Sequence, residues 1–136
     1  MTSTENETQD IIKAWCEDQC FSEKVMALLS VWNPDIEELS EWDINENINE
    51  NYIDVNGDRY RVFSLEEMNN EIQAYQENTQ HEIEAELSEQ FSFIVPFIDW
   101  GEFWYANYIH PEEVVYGVEE VIYNDEPYYY VEWSNL

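Results

Sequence analysis

The distribution of positive charge constrains this chain more than any other feature, because no lysine or arginine follows Arg61. The 136 residues include 32 acidic and 4 basic side chains, a formal net charge of −28 at pH 7. Repulsion among so many carboxylates destabilises a compact state, so a folded chain must bury enough apolar surface to offset it. Six tryptophans, ten tyrosines and six phenylalanines can supply that surface. We therefore predict a folded acidic domain rather than a disordered acidic tail.

The length suits a single domain, residues 1–136, in which residues 1–7 are expected to form a flexible polar tail. No segment reaches the roughly 18 consecutive apolar residues of a membrane span. The first ten residues have neither the basic region nor the apolar region of a signal peptide. An acidic chain is also repelled by an anionic membrane surface. We expect a cytoplasmic protein that makes no membrane contact.

Helical spacing of apolar residues marks the N-terminal third. It predicts one helix over Thr8–Cys20 and a second that begins after Ser22 as N-cap and ends at Asn33-Pro34. The stretch "DIEELSEW" could add one or two turns. The stretch "DINENINEN" has few large apolar residues and is predicted to be a polar connector.

Two stretches have the pattern of β-hairpins. In "NYIDVNGDRYRVF", two runs of strand-forming residues flank Asn56-Gly57, a pair suited to a type I′ turn. Near the C-terminus, Val118–Tyr123 and Tyr128–Trp133 are a second pair of strands, joined by a turn over residues 124–127. The predicted fold class is α+β: N-terminal helices, a β-hairpin, a long acidic helix and a C-terminal β-hairpin.

The long helix should begin at Ser64, because Ser64 and Glu67 have the spacing of a capping box. It could run to about Gln90, a length of roughly 40 Å. One stripe of the helix is apolar and is expected to be buried: Leu65, Met68, Ile72, Ile83 and Leu87. One flanking row comprises Glu67, Glu71, Glu82, Glu86 and Glu89. The opposite row comprises Glu66, Glu77 and Glu84.

The stretch "FSFIVPFIDWGEFWYANYI", residues 91–109, is the richest in aromatic side chains. We expect a helix to begin near Pro96. The segment should supply core or interface, and burial in the core is the expected fate of most of its aromatic side chains. Any that are exposed, Trp100 and Trp104 in particular, could anchor a partner, because tryptophan dominates binding hot spots.

Several enzyme classes are disfavoured by what the sequence lacks. Three well-separated glycines form neither a phosphate-binding loop nor a dinucleotide fingerprint. A restriction-type nuclease requires a lysine beside its carboxylates, and the C-terminal half has none. Asp99 and Glu102, which lie beside two tryptophans, resemble the carboxylate pair of a glycosidase. A solvated helix edge is the favoured interpretation of that pair, and we predict no catalytic residue.

Metal and cofactor sites are not expected either. Cys16, Cys20, His81 and His110 could form a zinc site, but the cysteine spacing is loose and the histidines are distant in sequence. The stretch "DVNGD" resembles the start of a calcium loop, but Leu65 occupies the position that requires a glutamate.

The charge itself indicates a function. Duplex DNA carries one negative charge per roughly 1.7 Å of axis, so 28 charges correspond to roughly 48 Å, or about 14 base pairs. A folded chain of this size is shorter, so its charge per length could match that of DNA. Such a surface would attract proteins with a basic nucleic-acid groove and would not itself bind nucleic acid. We therefore hypothesise a nucleic-acid mimic, and the alternative is a solvated acidic surface that only confers solubility.

Two stretches resemble small acidic proteins of tailed bacteriophages: "YIDVNGDRYRVFSLEE" followed by an acidic helix, and "VEEVIYNDEPYYYVEW" near the end. The resemblance covers about residues 50–90 and 115–133. It departs between them, where "ANYIHPEEVVYG" replaces an expected Arg-Gly stretch. Charge and size also resemble phage DNA mimics of the antirestriction and anti-CRISPR classes. Those proteins share charge rather than sequence, so the resemblance transfers no functional residue.

The resulting hypothesis is a phage-encoded inhibitor that occupies the basic surface of a host DNA- or RNA-binding defence enzyme in the host cytoplasm. A homodimer would extend the acidic surface. An alternative is an adaptor that binds through the aromatic stretch "FIDWGEFWYANY", and a third is a carboxylate-based hydrolase. The predicted partner-binding residues are Glu67, Glu71, Glu77, Glu82, Glu84, Glu86, Glu89, Trp100 and Trp104.

Overall fold

The computed structural model describes the backbone from Ser3 to Leu136 and the side chains from Gln9 onward. Six helices are present in this part of the chain: α1 (Ser3–Asp18), α2 (Glu23–Ser30), α3 (Ile36–Glu41), α4 (Leu65–Phe91), α5 (Trp100–Ala106) and α6 (Pro111–Val114). The strands are β1 (Ile44–Asn47), β2 (Tyr52–Val55), β3 (Asp58–Ser64), β4 (Glu119–Tyr123) and β5 (Glu126–Glu132). Two short 3₁₀ turns cover Val95–Phe97 and Trp133–Asn135. The predicted α+β class is confirmed.

The five strands form one antiparallel sheet in the order β1-β2-β3-β5-β4. The two predicted hairpins meet through β3 and β5, where Val62 lies opposite Tyr130 and Phe63 opposite Tyr129. Because neighbouring residues in a strand point to opposite faces, each hairpin contributes side chains to both sides of the sheet.

Each face of the sheet has its own hydrophobic core. On one face, Val62 and Tyr128 pack with buried residues of α1, α2 and α3, including Leu28 and Leu39. On the other face lie Phe63, Tyr129 and Val131, with Met68 of α4 and the chain that follows α6. The domain therefore has three layers, helices on both sides of a central sheet, and both faces of that sheet are covered.

The turns of both hairpins use positive φ angles. Asn56 and Gly57 have φ of 51° and 90°, which confirms the predicted turn at this pair. Asn124 and Asp125, with φ of 53° and 62°, form the second turn alone. The predicted four-residue turn is therefore too long, since Pro127 already lies in β5 opposite Ile122.

Two expectations for the N-terminal half are wrong. Helix α1 spans Ser3–Asp18, so it begins five residues before the predicted start and ends two residues before the predicted end; the first two residues of the expected tail lie outside the described part of the chain. The expected polar connector contains β1, in which Ile44 pairs with Val55 and Glu46 with Ile53. Strand β1 lies at the sheet edge, where a short polar strand is tolerated because only one side of it is paired.

Residue Ser22 does precede α2, but its side chain does not cap the helix. Its hydroxyl instead donates to Glu46, and its backbone N–H donates to the same carboxylate at 2.9 Å. A serine that was predicted to start a helix therefore ties the helical layer to β1. Among residues 3–136, no helix is both long enough and apolar enough to cross a membrane.

Candidate partner-binding surface

Helix α4 is the element that carries the predicted acidic surface. It spans 27 residues, roughly 40 Å at 1.5 Å per residue. The predicted capping box is present: Ser64 Oγ accepts from the backbone N–H of Glu67 at 3.2 Å, and Glu67 Oε1 accepts from the backbone N–H of Ser64 at 3.1 Å. The helix ends at Phe91, one residue beyond the predicted end.

Only the first part of α4 packs against the sheet. Met68 is fully buried and Ile72 packs beside it against the second core. Ile83 and Leu87 are half-buried, and Leu65 is exposed. The expectation of a buried stripe along the whole helix is therefore wrong at Leu65 and only partly fulfilled at the far end. No residue between positions 69 and 114 is buried.

The two glutamate rows of α4 lie mostly in solvent. Glu77 accepts from Gln73 and Glu84 from Gln80, each at 3.3 Å. The exposed members are Glu66, Glu77, Glu82, Glu86 and Glu89. The partly buried members are Glu67, Glu71 and Glu84.

Residue Glu67 differs from the other glutamates because the fold itself uses its carboxylate. Lys24 Nζ lies 2.6 Å from Glu67 Oε1. Partial burial acts to raise the pKa of Glu67, but hydrogen bonds from Lys24 and Ser64 outweigh it and leave that pKa below its ordinary value. Glu67 therefore joins α2 to the start of α4, a role that its place in the acidic row did not reveal.

The four basic side chains are all engaged within the protein. Lys13 lies 4.0 Å from Glu17, and Lys24 pairs with Glu67. Arg59 Nε lies 2.8 Å from Asp54 Oδ1, and the Arg59 guanidinium stacks over the Tyr52 ring at 3.7 Å. Arg61 lies over the Phe63 ring, with its Cζ 4.4 Å from the ring centroid. Of the four, Lys24 is the one whose ion pair is with a glutamate of α4.

The charge density of α4 can be compared with that of nucleic acid. Its eight glutamates span residues 66–89, roughly 35 Å of helix axis. That is about one charge per 5 Å, against one per 3.4 Å for a single DNA strand. The helix alone therefore has about two-thirds of the density of one strand.

The aromatic segment, residues 91–109, is not part of either core. Phe97 and Tyr105 have 86% and 91% of their surface exposed, and Phe93 and Tyr108 have 69% and 67%. The expectation that most of these aromatic side chains are core is therefore wrong. One core cluster joins α1–α3 to one face of the sheet and the other joins α4 and the chain after α6 to the opposite face, and neither cluster includes a residue of this segment.

Within the aromatic segment the side chains mainly contact one another. Phe103 lies between Trp100 and Trp104, with ring centroids 5.4 and 4.8 Å apart and edge-to-face geometry. Both tryptophans are half-buried as a result. Helix α5 begins at Trp100 after the cap residue Asp99. The helix expected near Pro96 is thus a 3₁₀ turn followed by a separate short helix.

The proposed acid pair is a helix cap. Asp99 Oδ1 accepts from the backbone N–H of Glu102 at 3.1 Å. Both side chains are exposed. This geometry fits a solvated helix edge rather than a pair of catalytic carboxylates.

The best-formed cavity has a volume of about 310 Å³ and lies beside the start of α2. Ile53 and Val62 contribute its apolar surface. Several of its polar lining groups are paired with one another: Lys24 with Glu67, Ser22 with Glu46, and the Tyr128 hydroxyl donating to Glu23 at 2.9 Å. These pairs join the elements around the cavity.

The candidate zinc ligands do not come together. In the part of the chain with described side chains, no three His, Cys, Asp or Glu residues are grouped as metal ligands. Cys16 is buried and Cys20 is exposed. Burial, together with the charge of Glu46, raises the pKa of Cys16 to about 12, which disfavours the thiolate that zinc requires. In the calcium-like stretch, Asp54 is bound by Arg59.

Comparisons of the chain with protein-family models, with curated proteins and with solved structures found no match. Function is therefore inferred from the surface described above.

Proposed function

We propose that this chain is a phage-encoded nucleic-acid mimic that inhibits a host DNA- or RNA-binding defence enzyme by occupying its basic surface. The observation that carries the proposal is the exposed charge of α4, where five glutamates from the two flanking rows lie in solvent along a helix of roughly 40 Å. On this proposal the protein acts by stoichiometric binding in the host cytoplasm and turns over no substrate.

The electrostatics support binding to a basic surface. Clustered carboxylates steer an oppositely charged partner and raise the rate of association. Because α4 alone falls short of the charge density of one DNA strand, other acidic residues must contribute. Helix α6, which contacts α4, adds exposed Glu112 and Glu113, and the exposed edge of β4 adds Glu119 and Glu120.

A second candidate function has its own observation. The exposure of Phe97 and Tyr105 favours an adaptor that binds through the stretch "FIDWGEFWYANY", residues 97–108. In that case the acidic surface would serve only solubility. The two candidates differ in which side chains the partner must contact, so one set of variants separates them.

The test starts from capture of partners on the tagged full-length chain from bacterial lysate, with elution by duplex DNA or by RNA. A variant with Glu77, Glu82, Glu86 and Glu89 changed to Gln is then compared with the wild type by titration against the captured enzyme. At about 0.5 kcal/mol for each exposed ion pair, the loss is about 2 kcal/mol, a weakening of about thirtyfold. Glu67 is left intact because it stabilises the start of α4.

The matched control removes four exposed glutamates on α3 and in the loop before β2: Glu37, Glu38, Glu41 and Glu50. It makes the same change in net charge but leaves α4 intact, so a much smaller loss of affinity is expected. Equal losses would show that only total charge matters. Full retention of binding by the α4 variant, with loss on Phe97→Ser, would reject mimicry and favour the adaptor.

A further inference from the structure

The aromatic segment, residues 91–109, exposes apolar surface that no part of the described chain covers. Eight of its nineteen side chains are aromatic. Monomeric proteins rarely expose apolar patches of more than a few hundred Å², and larger patches mark interaction sites. We propose that this segment is a self-association face through which two copies of the chain form a dimer.

The exposed area is the first argument. The large apolar side chains of the segment that are exposed are Phe91, Phe93, Ile94, Phe97, Tyr105 and Tyr108. Their exposed fractions together amount to about four complete side chains, or about 800 Å² at roughly 200 Å² for each. A stable interface of standard size takes about 800 Å² from each partner. The apolar surface that the segment exposes is therefore comparable in area to one side of such an interface.

The local charge is the second argument. A second copy has the same net charge of −28, so the two can approach only where carboxylates are sparse. The segment holds two acidic residues among its nineteen, against 30 among the other 117. One of the two, Asp99, already accepts a backbone hydrogen bond. The segment itself therefore adds little negative charge to a contact between two copies.

Because both partners are copies of the same chain, the dimer is expected to have two-fold symmetry. In a two-fold dimer the same patch lies on both sides of the interface, and a largely apolar, nearly neutral patch complements itself. A patch meant for a basic groove would be expected to carry acidic residues, as α4 does. The dimer would join two α4 helices, each roughly 40 Å long, in one particle. The dimer does not depend on the proposed function.

Salt gives the proposal its sharpest test. Between about 0.01 M and about 1 M NaCl the Debye length falls from about 30 Å to about 3 Å. Repulsion between two copies is thereby screened, so the dimer should become at least tenfold tighter in high salt. Binding of α4 to a basic enzyme should weaken over the same range. The two proposals thus respond to salt with opposite signs and can fail separately.

The experiment is sedimentation equilibrium of the full-length chain at micromolar concentration across that salt range. A species of twice 16.4 kDa is expected in high salt. Phe97→Ser together with Tyr105→Ser should weaken it about a hundredfold, because exposed aromatics are typical hot spots. The matched control is Ile48→Ser with Tyr116→Ser, two exposed apolar residues outside the segment, and it should leave the dimer unchanged.

Several results would overturn the proposal. These are a monomer at every salt concentration, open-ended aggregates without a two-copy species, a dimer that weakens in high salt, or equal effects of the two double variants. If the chain stays monomeric and the Phe97/Tyr105 variant no longer binds the captured enzyme, the segment contacts that enzyme instead. Circular dichroism of both variants verifies that the fold is retained.

Discussion

The sheet with its two cores and the stretch from residue 69 to residue 114 differ in how they use apolar side chains. In the sheet region, Phe63 and Leu28 are almost fully enclosed. Along residues 69–114 no side chain is buried, although this stretch holds many of the aromatic residues. Stability therefore arises mainly in the first region, because burial of apolar surface is the main favourable term in folding.

The aromatic residues thus have two roles, stabilising the core and forming surface, which composition alone does not distinguish. The aromatic content of the chain offsets its charge repulsion only to the extent that it is buried. The aromatic side chains that stay exposed form an apolar surface, and the glutamates of α4 create a negative electrostatic potential near it. A protein of this size can thus expose both charged and apolar surface with residues that belong to neither core.

The largest effect is expected when the same substitution, Phe to Ala, is made once in the core and once in the exposed segment. Phe63→Ala should lower the free energy of unfolding by about 3–5 kcal/mol, since it leaves a cavity in the second core. Phe97→Ala should change it by less than about 0.5 kcal/mol, because Phe97 is 86% exposed. Urea unfolding of both variants, in low salt and at low protein concentration to keep the chain monomeric, gives the two values.

Similar losses in the free energy of unfolding for the two variants would contradict the distinction between the two regions. They would mean that residues 91–109 pack into the domain in solution. A loss at Phe97 that appears only at high protein concentration would instead reflect dissociation of a dimer, because association stabilises the folded state by mass action.

The sequence predicts local structure well where a short pattern decides it. Asn56-Gly57 can adopt positive φ at both positions, and the Ser64–Glu67 capping box closes through contacts three residues apart. Strand β1 was missed because its sequence, "INEN", gains strand structure only from pairing with β2. Propensity does not contain that pairing.

The fate of the aromatic segment could not be predicted from its composition. Aromatic side chains are buried on average, but burial requires a free face of the fold. Whether a face remains depends on the strand order and on which helices cover the sheet, both of which are long-range properties. The role of Glu67 was hidden for the same reason, since Lys24 is 43 residues away in sequence.

The next effect concerns the ion pair that joins α2 to α4 at the boundary between the two regions. Lys24→Met leaves the partly buried Glu67 carboxylate without its cation, so a loss of about 1–2 kcal/mol is expected, less than for a fully buried pair because solvent screens it. Lys13→Met is the control with the same change in charge. Its pair with Glu17 is exposed at 4.0 Å, so the change should stay within about 0.5 kcal/mol.

The pH dependence of this effect has a definite sign. The pKa of Glu67 in the folded state lies below its ordinary value of 4.5. Its contribution to stability is therefore present above about pH 4.5 and is lost as the pH falls through the folded pKa. The gap between wild type and Lys24→Met should be constant from pH 7 to pH 5 and should close at lower pH. A gap that persists unchanged at pH 3 would contradict the role assigned to Glu67.

The smallest effect can show where along α4 the boundary between the regions lies. Asn69 and Asn78 are both exposed in the helix interior, but Asn69 follows the buried Met68, whereas Asn78 lies beyond the packed part. Replacement of either by Ala should favour the helix by about 0.6 kcal/mol through intrinsic propensity. Asn69→Ala should raise the global free energy of unfolding by that amount.

At Asn78 the same gain in helix stability should affect only local opening of the helix and not global unfolding. If the second half of α4 opens without unfolding the sheet, Asn78→Ala slows hydrogen exchange of amides in residues 75–90 about threefold and leaves global unfolding unchanged. Exchange measured by mass spectrometry on both variants distinguishes the cases. An equal rise in global stability for the two would place the whole of α4 in one cooperative unit with the sheet. The acidic rows would then be held rigid by the core rather than by helix propensity alone.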